Sequence, residues 1–114
     1  MERHNSGLAI AMALALVLAG LAVAARAQSK PDLIEVRIDN FSFGPTEVTV
    51  MAGTTVTWTN HDDIPHTVVS TDKVFKSKVL DTDERFSFTF AKPGQFSYFC
   101  SLHPHMTGKI VVKA

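Results

Sequence analysis

Between Cys100 and Met106 the chain reads Cys-Ser-Leu-His-Pro-His-Met, which puts one thiol, two imidazoles and one thioether within seven positions. Another imidazole, His66, stands upstream in Ile64-Pro65-His66-Thr67-Val68. A thiolate, two imidazoles and a weak axial thioether form the trigonal donor set of a blue copper site, and soft sulfur donors select copper. Such a set holds both Cu(II) and Cu(I), so its chemistry is the exchange of one electron with little ligand movement. The residues alone leave a choice of second imidazole: His103 lies three positions after Cys100, and His105 lies next to Met106. Bland roles also exist for each donor. A free cysteine packs as a small hydrophobe, a single histidine can sit satisfied in a core, and a methionine can simply fill a loop. An unpaired thiol in an exported chain nevertheless asks for a partner. His61, followed by Asp62 and Asp63, reads as a solvated turn.

The elements that must bring these donors together are strands. Val36 and Ile38 alternate with Glu35, Arg37 and Asp39, and Val48 and Val50 with Glu47 and Thr49. Val56 and Trp58 alternate with threonines, and Phe86, Phe88 and Phe90 with Ser87 and Thr89. Period-two runs rich in β-branched and aromatic residues are half-buried strands. Gly44-Pro45, Ala52-Gly53, Asp62-Asp63, Pro93-Gly94 and Thr107-Gly108 punctuate them as turns. No helical period appears after residue 27. The pattern predicts an all-β fold, an antiparallel Greek-key β-sandwich of seven to eight strands. The donors Cys100 to Met106 then occupy a loop between strands Gln95–Phe99 and Lys109–Lys113, and His66 opens another strand.

Composition narrows the class further. The chain has 114 residues, with 11 Lys+Arg against 11 Asp+Glu. It therefore lacks the cationic surplus that nucleic-acid binding needs. One cysteine excludes an intrachain disulfide and any zinc site with two or more cysteines. The hydrophobic share of 46% is uneven, because Leu8 to Ala25 is apolar apart from Gly20, with Arg3 and His4 before it and Ala25-Arg26-Ala27 at its end. That is the pattern of a secretory signal peptide over residues 1–27, with 28–114 as the mature domain; an uncleaved anchor is the alternative. A domain this small has a thin core, and without disulfides a metal is the usual support.

From about Asp39 onward the sequence resembles a small cupredoxin, of the amicyanin-like and bacterial plastocyanin-like kind. The resemblance rests on Thr55-Val56-Thr57-Trp58-Thr59-Asn60, on Pro65-His66, on Gly94-Gln95-Phe96-Ser97-Tyr98-Phe99-Cys100, and on a Cys-x-x-His-x-x-Met loop before Gly108-Lys109-Ile110-Val111-Val112. It implies one copper ion with His66, Cys100 and His103 as equatorial ligands and Met106 as the axial one. It leaves His105 on the surface beside the site. Many cupredoxins carry Asn directly after the upstream histidine, where it ties that loop to the cysteine loop. Here the position is Thr67, whose hydroxyl is expected to make a shorter version of the tie.

The expected function is one-electron transfer by an exported, periplasmic, monomeric copper protein that is not an enzyme. Redox partner proteins would dock briefly near His103, over a patch of Ile64, Pro65, Leu102, Pro104 and His105. No nucleic-acid partner is expected, and the mature domain is not expected to span a membrane. Lys73, Lys76 and Lys78 form either a local steering patch or, more simply, a solvated face. The alternative function is copper binding for delivery or tolerance without a place in an electron chain. Delivery favours open, Met- or His-rich sites, whereas the mature chain holds only Met51 and Met106.

Overall fold

The computed structural model describes residues 33–114, and the expected leader 1–27 lies outside them. Eight strands follow in order: β1 (Leu33–Asp39), β2 (Ser42–Gly44), β3 (Glu47–Met51), β4 (Thr54–Asn60), β5 (Val69–Ser70), β6 (Arg85–Phe90), β7 (Gly94–Cys100) and β8 (His103–Lys113). One sheet has the order β2-β1-β4-β6 and the other β3-β8-β7-β5. The chain therefore changes sheets at β2–β3, β3–β4, β4–β5, β5–β6 and β6–β7.

The alternation read from the sequence sets the faces. Val36, Ile38, Val56, Trp58 and Phe90 from the first sheet meet Val50, Tyr98, Ile110 and Val112 from the second in one core. Thr57 and Thr55 face outward, bonding Ser87 and Thr89 across the β4–β6 pair at 2.7 Å each. The aromatic residues cluster around Trp58, whose ring lies 5.6 Å from Phe75, 5.7 Å from Phe86 and 5.4 Å from Tyr98. Burying one such side chain contributes on the order of 1.5–3 kcal/mol.

One expectation needs correction. The pairing is mixed and not wholly antiparallel, because β1 runs parallel to β4 and β3 parallel to β8. Period-two alternation decides which face is buried but carries no information on strand direction. The parallel neighbours arise because the chain leaves one sheet for the other and returns beside an earlier strand.

The region between β7 and β8 also differs from the expected loop. Cys100 ends β7 and His103 already begins β8, so only Ser101 and Leu102 form the turn. Phe99 pairs with Thr107, while Cys100 pairs with His103. One step on β7 thus corresponds to four on β8, and Pro104, His105 and Met106 are the surplus residues of a bulge. Bulges re-aim side chains next to functional sites.

Candidate metal centre

His66 is fixed by a two-bond bridge to Leu80: its amide donates to the Leu80 carbonyl at 3.1 Å and its carbonyl accepts the Leu80 amide at 2.8 Å. Cys100 is at the end of β7 and His103 faces it across the turn. His66 and Cys100 are fully buried and His103 is half-buried. Their donor atoms form a triangle. The His66 Nδ1 lies 3.8 Å from the Cys100 Sγ, the His103 Nδ1 lies 3.7 Å from it, and the two Nδ1 atoms are 3.2 Å apart. A trigonal-planar ion with bonds of about 2.3 Å to sulfur and about 2.0 Å to nitrogen would need sides of about 3.7 and 3.5 Å. The triangle has that size and that donor chemistry, so these residues fit a copper ion. Among the described residues they are the group of three such donors that could hold a metal. Met106, three positions beyond His103, is 5% exposed on β8.

The shell around the triangle is hydrogen-bonded. The His66 Nε2 lies 2.8 Å from the Asp62 carboxylate, which assigns the ring proton to Nε2 and leaves Nδ1 as a bare donor, the usual role of an outer-shell carboxylate. The same carboxylate accepts the amides of Asn40 at 2.7 Å and Phe41 at 2.9 Å. Burial pushes the Asp62 carboxyl upward, but these two amides and the His66 ring outweigh it and hold it below its usual value. Asn60 anchors the segment leading to His66. Its Nδ2 donates to the carbonyls of Ile64 and Leu80, both at 2.9 Å, and its Oδ1 accepts the Asp62 amide at 2.9 Å. On the other side, the Thr67 amide donates to the Cys100 Sγ at 3.4 Å, and the Thr67 Oγ1 accepts the Ser101 amide and meets the Ser101 hydroxyl, both at 2.7 Å. The tie expected of Thr67 is present.

With the fold and this geometry in view, the relatives are informative. A family model described as a cupredoxin-like domain matches residues 8–112. The chain belongs to the cupredoxin family. Amicyanin-alpha from Methylorubrum extorquens is 36% identical over 116 residues, covering 93% of this chain and 98% of its own. Among solved structures, a reduced amicyanin variant superposes with a TM-score of 0.68 at 33% identity, over 76% of this chain and 88% of that one. A copper-containing nitrite reductase from Thermus scotoductus gives a TM-score of 0.70 at 33% identity, over 75% of this chain but only 23% of that one.

In this cupredoxin the sequence-predicted donors His66, Cys100 and His103 come together, whereas His105 is exposed and outside the triangle. Pro104 is exposed, Ile64 and Pro65 half-buried, and Leu102 47% exposed. Lys73, Lys76 and Lys78 are all solvent-facing, with Lys78 3.9 Å from Glu84. His61 departs from the solvated turn: it is half-buried, its amide donates to the Ile38 carbonyl at 2.7 Å, and its Nε2 has no partner among the described residues.

Two residues escaped the sequence reading. Asp62 looked like half of a polar turn, and only the fold brings the amides some twenty positions upstream onto its carboxylate. Phe41 follows Asn40 in a left-handed turn, with φ of 56° after 51°, a conformation that costs a non-glycine residue roughly 1–2 kcal/mol. Its ring is T-shaped to both imidazoles, with centroids 5.6 Å from His66 and 5.1 Å from His103. An aromatic between two alternating strands carries no local signal for such a placement.

Proposed function

We propose that His66, Cys100, His103 and Met106 hold one copper ion, and that this cupredoxin carries single electrons between redox partner proteins. The observation that carries the reading is the His66–Cys100–His103 triangle, whose sides suit a trigonal ion bound by one thiolate and two imidazoles. When bound, copper supplies a Cu(II)/Cu(I) couple that takes up and releases one electron. The chain's contribution is to hold the donors still. The Leu80 bridge and Asp62 orient His66, the Thr67 amide and hydroxyl support the Cys100 sulfur, and the short Ser101–Leu102 turn fixes His103. Rigid, prearranged donors keep the cost of changing charge low.

Four donors leave no open position for a substrate, which supports a carrier and not an enzyme. The nitrite reductase neighbour is consistent with that reading, because this chain corresponds to less than a quarter of it. Burial of Cys100 and His66 likewise disfavours an open, exchangeable delivery site. Partner docking near His103 is supported by the half-buried ring and by the exposed apolar side chains beside it. Among the described residues no helix is long and apolar enough to cross a membrane. Export to the periplasm, with residues 1–27 as its signal, rests on the sequence pattern, and a monomeric state on the small standard domain.

The test is a redox titration of the copper-loaded protein. One electron per chain and reversible bleaching of an intense visible band are expected. A Cu(II) complex without such a band, or one that cannot be cycled, overturns the carrier reading. His103→Ala is expected to abolish the band and His105→Ala to keep it; the reverse result would move the ligand to His105.

A further inference from the structure

We propose that Phe41 is a positioning residue for the two imidazoles, seated over them by Asp62. The inference rests on the copper reading above but concerns residues outside the donor set. Phe41 is 48% exposed, a poor place for a phenyl ring on hydrophobic grounds alone, and its backbone occupies the left-handed region with φ of 56°. Both costs point to a local benefit. The ring planes of Phe41 cross those of His66 and His103 at 88° and 86°, the edge-to-face arrangement that aromatic quadrupoles favour. A single ring therefore abuts both imidazoles and bridges the buried ligand to the half-buried one.

His66 has other supports, but His103 has few. Among the described residues its ring nitrogens meet only the other two donors, through Nδ1, so the Phe41 ring is a lateral contact holding the imidazole's orientation. Phe41 is in turn held by Asp62. One carboxylate oxygen accepts the Asn40 amide, and the other accepts both the Phe41 amide and the His66 Nε2–H. The carboxylate that sets the His66 tautomer is thus also the clamp on the turn that carries the ring. Asp62 and Phe41 act as one device, and loss of either should loosen both imidazoles.

The experiment compares copper-loaded wild type with Phe41→Gly, Phe41→Tyr, Asp62→Ala and the Phe41→Gly/Asp62→Ala double variant. It reads chelator-driven copper release, the visible spectrum of the Cu(II) form, and ring-nitrogen NMR of His103 in the metal-free protein. Glycine favours the left-handed turn, so Phe41→Gly removes the ring without straining the fold. Release from Phe41→Gly is expected to be about tenfold faster, the lower end of what outer-shell losses cause. Its band ratio should shift and its metal-free His103 signals broaden, while Phe41→Tyr stays at wild type. In the double variant the fold-changes should combine to less than their product, because the seat and the ring are one unit. A coloured wild type with unchanged release and spectrum in Phe41→Gly overturns the inference alone. Fully multiplicative effects overturn the seating by Asp62. A wild type without the band overturns the copper reading itself. Should Asp62→Ala fail to fold, the Phe41 pair still decides the positioning role.

Discussion

Tyr98 and Cys100 are two residues apart on β7 and point to the same face, yet their polar atoms are treated in opposite ways. The Cys100 Sγ meets the Thr67 amide and hydroxyl and two imidazoles. The Tyr98 hydroxyl, like the Trp58 Nε1 beside it, has no hydrogen-bond partner among the described residues. At the donor end, geometry is dictated by directional bonds. In the aromatic core it is dictated by volume. The contrast shows how a small sandwich divides its tasks: packing supplies the stability, and hydrogen bonds supply the ångström-level placement that a fixed donor set needs.

The largest effect should come from breaking the packing. Gly108 pairs with Tyr98 across β7–β8, and a Cβ there would run into the Tyr98 ring, with Cε2 at 2.8 Å. Gly108→Ala is expected to cost about 1–3 kcal/mol or more, as overpacking does. Denaturant unfolding would report it, and the copper colour of the folded fraction should survive. A smaller loss should follow at the donor end. Thr67→Ala leaves the Ser101 amide without its acceptor and should cost about 1–2 kcal/mol. Unlike Gly108→Ala, it should shift the visible band and the reduction potential, and Thr67→Ser should restore both.

The smallest effect near neutral pH is expected at Tyr98. Burial pushes its phenol up to about 12 from 10.0; the Trp58 indole N–H pulls slightly the other way without reaching hydrogen-bond geometry. A raised folded pKa means the contribution is complete below pH 10 and lost as pH rises towards 12. That loss is about 2–3 kcal/mol for two units. Tyr98→Phe removes a hydroxyl with no hydrogen-bond partner among the described residues, so near neutral pH it should change stability by less than about 1 kcal/mol. Urea midpoints between pH 9 and 12 should fall less steeply in the variant. A large loss at neutral pH would show that the hydroxyl is satisfied after all.

The same contrast explains what the sequence could reveal. The donors were legible because His103 and Met106 follow Cys100 at intervals of three within one segment, and Thr67 because it adjoins His66. Trp58, Phe90 and Tyr98 were legible as core because alternation marks a buried face. The parallel β1–β4 and β3–β8 pairs were hidden, since alternation is blind to direction. Asp62 and Phe41 were hidden for another reason. Their roles depend on a contact across 21 positions of sequence, between segments whose own composition reads as an ordinary polar turn and an ordinary strand end. His61 was misjudged because its acidic neighbours suggested solvent, while its amide is tied to the Ile38 carbonyl of β1.

The proposed role of Cys100 as the copper thiolate is tested most simply by the visible spectra of Cu(II)-loaded wild type and Cys100→Ser, side by side. Wild type should show intense thiolate-to-copper charge transfer, and the serine variant should be folded, still able to bind Cu(II) through its imidazoles, and nearly colourless. An equally intense band in Cys100→Ser would rule out Cys100 as the source of the colour.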